Sequence, residues 1–128
     1  MLSLLNRKTR VLVLDDDPSM QRLIAALLRK HGYRVDVVSN GSQAIDHLKR
    51  IDYAALLLDL MTPTEGGMTV IRHLRTANAK LLDRVILVTA SPDTILKAIE
   101  GDVAAVVHKP FEQQELIAAV NRVVTAVS

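Results

Sequence analysis

The stretch Arg10-Val11-Leu12-Val13-Leu14-Asp15-Asp16-Asp17-Pro18-Ser19 decides the fold. A short apolar run that stops at polar residues reads as a buried strand. The block of carboxylates then closes on Asp17-Pro18, an arrangement that opens a helix, with Asp17 as cap and Pro18 at the first helical position. Three more runs share this grammar: Ala55-Leu56-Leu57-Leu58 stops at Asp59, Val85-Ile86-Leu87-Val88 at Thr89, and Ala105-Val106-Val107-His108 at Lys109. In an open α/β sheet, ligands bind just beyond the carboxyl ends of the strands, so chemistry carried at several such ends converges in space.

Five strand-like runs, Arg10–Leu14, Arg34–Val38, Ala54–Leu58, Arg84–Thr89 and Val103–Val107, alternate with five helix-like runs. The strands are rich in Val, Leu and Ile without strict alternation, which predicts a sheet covered on both faces. The first helix is expected to bury Met20, Leu23, Ile24, Leu27 and Leu28 and to end at Gly32. Helices follow over Ser42–Ile51, Met68–Ala79 and Pro92–Glu100, the last capped by Ser91 and closed by Gly101. The fifth, from Glu112, carries Leu116, Val120, Val123 and Val127, flanked by Ile117 and Val124. If those two flanking residues, together with Ile95, Leu96 and Ile99, exceed what one sheet face can bury, the excess marks a partner surface. This pattern predicts a flavodoxin-like (βα)5 fold: a doubly wound five-stranded parallel sheet, order 2-1-3-4-5, with helices on both faces. Residues 1–9 read as an N-terminal tail and 10–127 as a single domain. The winding reverses between strands 1 and 3, which is where the site should open.

The 128 residues include no cysteine, so disulfides and thiolate metal sites are excluded. The net charge of +2 is too small to argue for nucleic acid. Gathering Asp15, Asp16, Asp17 and Asp59 at one place predicts an acidic pocket on a mildly basic body. Arg7, Lys8, Arg10, Arg72, Arg75, Lys80 and Arg84 read as solvated surface, and nothing resembles a recognition helix. His31, His47, His73 and His108 lack metal-ligand spacing. The opening residues do not form a secretory signal, and no run approaches the roughly 18 apolar residues of a membrane span. A soluble, cytoplasmic chain without membrane contact is the expectation.

Three crowded carboxylates repel one another, and a divalent cation relieves the repulsion. Hard oxygen donors without a soft ligand favour Mg2+, with manganese as a substitute. With the cation bound, Asp59 can act as nucleophile toward a phosphoryl group, giving an aspartyl phosphate. Thr89 offers a hydroxyl and Lys109 an ammonium to the phosphoryl oxygens.

With Asp15-Asp16, Asp59 followed by Pro63 and Gly67, Thr89-Ala90 and Lys109-Pro110-Phe111, the chain resembles a two-component response-regulator receiver domain of the CheY-like superfamily, from about Arg10 to Val127. The resemblance implies that Asp59 is the phosphoacceptor and Asp16 the main metal carboxylate, that Asp15 assists through water, and that the backbone carbonyl of Met61 completes the Mg2+ shell. It implies a cis Lys109-Pro110 bond and catalysis only of the domain's own phosphorylation and dephosphorylation. The implied partners are a sensor histidine kinase or histidine phosphotransfer protein and a downstream effector protein or domain. Direct nucleic-acid contact is not expected, and a homodimer would use helix 4, strand 5 and helix 5.

The chain also departs from the family. Val106 stands where receivers commonly carry a switching Tyr or Phe, and Thr64-Glu65-Gly66 stands where a Met-Asp pair often precedes the glycine. Met61 and Ser91 border the path of attacking water; apolar Met61 cannot orient it, so a persistent phosphoryl group is expected. Two other functions fit parts of the pattern. VLVLDDDPS matches the Asp-x-Asp-x-Ser/Thr signature of haloacid-dehalogenase-like phosphatases, with Asp15 as nucleophile and Asp17 as acid, although Asp59 would then be idle. The other is a receiver-shaped interaction scaffold that is never phosphorylated.

Overall fold

Strand β1, Arg10–Leu14, lies at the centre of the winding, with β2, Arg34–Val38, on one side and β3, Ala55–Leu58, on the other. Beyond β3 come β4, Val85–Thr89, and β5, Ala105–His108. The order is β2-β1-β3-β4-β5 and every pairing is parallel, as the sequence predicts. This is the architecture of the computed structural model of the chain, which describes residues 9–60, 65–90 and 93–127.

Because successive side chains of a strand point to opposite faces, each apolar run feeds two cores. Val11, Val13, Leu57, Ile86, Val88 and Val107 pack with helices α1, Pro18–Lys30, and α5, Gln113–Val127. Leu12, Leu14, Leu56, Leu58, Val85 and Leu87 pack with α2, Gly41–Arg50, α3, Gly67–Ala77, and α4, Asp93–Ile99. The result is three layers with β1, β3 and β4 enclosed.

Helix α1 starts as expected: the Asp17 side chain accepts from the Ser19 amide at 2.9 Å, and Pro18 occupies the first turn. At the other end Gly32 adopts φ +91°, a conformation in which a Cβ is strained, and this turns the chain into β2. One expected core residue is misplaced by the sequence reading. Leu23 is 45% exposed, whereas Ala25 is 4% exposed. The buried arc is centred on Ile24 and Leu28 and runs from Leu27 to Ala25, and at 3.6 residues per turn Leu23 falls just outside it.

Several boundaries also move. Helix α2 begins one residue early because Asn40, not a residue further on, caps it by accepting from the Gln43 amide at 3.0 Å. Helix α3 stops at Ala77, and a 3-10 segment over Ala79–Arg84 then buries Leu82 and delays β4 to Val85. A 3-10 turn over Glu100–Asp102 likewise pushes β5 to Ala105–His108, with Ile86 to Thr89 paired against it. Strand β3 begins at Ala55 rather than Ala54, and α5 at Gln113 rather than Glu112. An apolar excess on the last two helices does not appear among the described side chains. Leu96 and Ile99 enter the core beneath α4, and Ile117 and Val124 enter the one beneath α5. The side chains of Ile95 and Val127, and all of Ser91 and Pro92, lie outside the described residues.

The Thr9 carbonyl, at the end of the expected tail, accepts from the Arg34 amide at 3.1 Å; residues 1–8 of that tail lie outside the described residues. Among the described residues, no helix is long and apolar enough to cross a membrane.

Candidate functional site

Asp15, Asp59 and Lys109 sit one step past the end of a strand and Thr89 at the last position of one, and the ladders continue through their backbones. The Asp15 amide donates to the Val38 carbonyl at 3.2 Å, the Asp59 amide to the Leu14 carbonyl at 3.0 Å, and the Lys109 amide to the Thr89 carbonyl at 3.0 Å. Parallel pairing thus sets the heights of Asp15, Asp59, Thr89 and Lys109 on one rim of the sheet. The Lys109-Pro110 peptide is cis, as the resemblance implies.

The side chains meet there. Lys109 Nζ donates to Asp15 Oδ2 at 2.7 Å and to Asp59 Oδ2 at 3.2 Å. Thr89 Oγ1 donates to Asp59 Oδ1 at 3.1 Å. Asp15 Oδ1 also accepts from the Asp17 amide at 2.9 Å. Asp15, Asp59 and Thr89 are buried, whereas Asp16 is exposed at the mouth. Burial by itself lowers the Lys109 pKa, but the hydrogen bond to Asp15 and the fields of Asp59 and Asp15 outweigh it, so the ammonium is held above the ordinary lysine value. The lysine therefore remains charged and relieves part of the repulsion between the carboxylates.

Asp15, Asp16 and Asp59 each bring a carboxylate oxygen to a position within 4.8 Å of the others. An all-oxygen set with two buried members and an open side suits a hard cation such as Mg2+. Met61, expected to add a backbone carbonyl, lies outside the described residues, as does Pro63. Gly67 is described, and it closes the back of the site: its amide donates to the Asp59 carbonyl at 2.6 Å. A Cβ there would come within 2.8 Å of that same oxygen, so the position admits only glycine without a shift.

Asp17, the proton donor of the phosphatase alternative, is spent as the α1 cap. Val106 pairs with Leu87 in the ladder and packs, half-buried, against the core under α4. Two residues near the site went unread in the sequence. Gln21 Nε2 donates to the Asp15 carbonyl and, at 3.1 Å, to Ser39 Oγ, fastening the turn that carries the carboxylates. Its position four residues after the Asp17 cap was the available signal, since the helix brings such a residue back over its own start. Glu65 bonds to the first turn of α2, and no local pattern announces a contact across that distance.

The chain matches the response regulator receiver domain family over residues 11–121 and belongs to it. It is thus a receiver domain of the kind found in response regulators of two-component signalling. Among curated relatives, the DNA-binding response regulator MtrA of Mycolicibacterium smegmatis is 35% identical over 116 residues, 89% of this chain and 50% of that protein. The chain therefore spans about half the length of the curated relatives it matches. Among solved structures, the receiver domain of a sensor histidine kinase from Pseudomonas aeruginosa, with a magnesium ion coordinated in its active-site cleft, is similar at a TM-score of 0.81 and 29% identity, covering 91% of this chain and 98% of that one. The response regulator TrrA from Thermotoga maritima, in complex with Mg2+ and beryllofluoride, gives 0.80 and 27%, covering 90% and 98%.

Proposed function

We propose that the domain accepts a phosphoryl group on Asp59 from a phosphohistidine of a sensor histidine kinase or histidine phosphotransfer protein, with Mg2+ held by Asp15, Asp16 and Asp59, and alters its contacts with a downstream effector in response. The observation that carries this reading is the convergence of Lys109 and Thr89 on the two different oxygens of the Asp59 carboxylate.

Bound at the three carboxylates, Mg2+ would supply positive charge for phosphoryl oxygens and for the aspartates themselves. The protein's own groups do the aligning. One carboxylate oxygen of Asp59 attacks phosphorus as the phosphorus–nitrogen bond breaks; a phosphorus–oxygen bond forms, and the departing imidazole takes up a proton. Lys109 is within reach of a phosphoryl oxygen on Asp59, and Thr89 can redirect its hydroxyl from the carboxylate to that group. Asp15, tied to Lys109 and to the Asp17 amide, keeps the ammonium aimed at Asp59. The domain thereby promotes its own modification and turns over no metabolite. Support for the kinase partner and for Mg2+ comes from the family and from the magnesium-bound relatives.

Incubation with Mg2+ and acetyl phosphate, followed by mass spectrometry, tests the assignment. Label is expected on Asp59 and absent from Asp59→Asn. Label on Asp15 would support the phosphatase alternative, and no label, together with no beryllofluoride binding, would support the scaffold.

A further inference from the structure

Behind the phosphoacceptor, the connection from β3 to α3 is anchored to the start of α2. Glu65 precedes Gly66-Gly67, and its carboxylate accepts from the Ser42 amide at 3.1 Å and from the Ser42 hydroxyl. Its carbonyl also accepts from the Gly41 amide at 2.9 Å. Gly41 and Ser42 are the first residues of α2, whose leading amides have no partner within the helix. A carboxylate at that end is favoured by the helix dipole as well as by the bonds.

Helix α3, by contrast, begins at Gly67 after Gly66 and has no side-chain cap of its own. Two consecutive glycines restrain the backbone weakly, yet the Gly67 amide must meet the Asp59 carbonyl at 2.6 Å. What holds Gly66-Gly67 in place from the N-terminal side is Glu65, bonded to the first residues of α2. The path from Asp59 to Gly67, Gly66, Glu65 and Ser42 consists only of covalent links and these hydrogen bonds.

We infer that Glu65 is a positioning residue of the phosphoacceptor site: by pinning the start of α3 to the start of α2, it sets the backbone of Asp59 and hence the aim of its carboxylate toward Mg2+ and the incoming phosphoryl group. This rests on the reading of Asp59 as phosphoacceptor. It also gives the second helix a direct mechanical link to the modified residue, one that does not pass through Val106.

The test compares wild type, Glu65→Ala, Glu65→Gln and Ser42→Ala in the full chain. Mg2+ affinity is read by titration of backbone amide resonances, the rate of acetyl-phosphate labelling at saturating Mg2+ by mass spectrometry, and global stability by urea unfolding. Removing a partner bonded directly to a metal ligand costs roughly 10- to 100-fold in affinity; Glu65 acts one link further away, so Glu65→Ala should weaken Mg2+ by about fivefold and slow labelling. Glu65→Gln keeps an acceptor oxygen and should recover most of both. Should Glu65→Ala not fold, Ser42→Ala, which removes only the hydroxyl donor, should weaken Mg2+ by about twofold, within the modest worth of one hydrogen bond. A Glu65→Ala variant that is less stable to urea but has wild-type Mg2+ affinity and labelling rate would show an ordinary helix cap and overturn the inference. Failure of the wild type itself to take label on Asp59 would instead overturn the phosphoacceptor reading, and the Mg2+ comparison would still decide the role of Glu65.

Discussion

Lys109 holds its charge between two buried carboxylates, and two tyrosines elsewhere share its direction of titration. Burial raises the pKa of Tyr33, and burial together with the hydrogen bond from Tyr53 to Asp36 raises that of Tyr53 far above the ordinary value. For all three groups the folded state binds the proton more tightly than the unfolded chain. Their contribution to stability is therefore fully present below the unfolded values near about pH 10, and is lost as pH rises through the higher folded values. Urea midpoints measured from pH 9 to 12 should fall, with tyrosinate absorbance appearing together with unfolding. Tyrosinate absorbance that develops fully at ordinary pH in a still folded chain would contradict this. At this same scale, Asp15, Asp59, Thr89 and Lys109 were legible in the sequence because each ends an apolar run. Gln21 was signalled only by its place four residues after the Asp17 cap, and Glu65 not at all, since its partners are backbone and hydroxyl groups that any sequence supplies.

Helix α1 shows how far periodicity reaches at the level of the element. Spacing correctly gave a helix, its cap and most of its buried stripe, but it could not decide which edge of the stripe meets the sheet. That edge is decided by the rotation of the helix on Val11, Val13 and Val35, which puts Ala25 inside and leaves Leu23 in solvent. Leu23→Ser is accordingly expected to change stability by less than about 0.5 kcal/mol, as for other surface substitutions. Leu28→Ala, at a fully buried position on the same helix, should cost about 2–5 kcal/mol. Equal losses in chemical denaturation of the two variants would mean that Leu23 is covered in solution. The moved boundaries of α2, β4 and β5 have the same origin: a cap or a 3-10 turn is chosen by what the flanking residue touches, and local pattern does not record that.

For the whole molecule, the sheet order turns four separate sequence signals into one pocket, and a ligand of that pocket stabilises the fold that makes it. If Mg2+ binds the three carboxylates, a concentration of 100 times its dissociation constant adds about 2.7 kcal/mol, since the unfolded chain has no such site. For a domain of this size that corresponds to a rise of roughly 10 °C in Tm. Calorimetry should show the rise in the wild type and lose it when Asp15, Asp16 and Asp59 are all changed to Asn. An equal rise in that variant would place the ion elsewhere. The amino-acid sequence by itself determined the alternation of strand and helix, the parallel order, and which residues stand at the carboxyl rim, because apolar periodicity and chain-end chemistry are local properties. Only the tertiary structure decided that Lys109 bridges Asp15 and Asp59, that Leu23 faces outward, and that Glu65 reaches Ser42. Those contacts join residues far apart in the chain, and their geometry is set by crossovers and helix rotation that no single segment encodes.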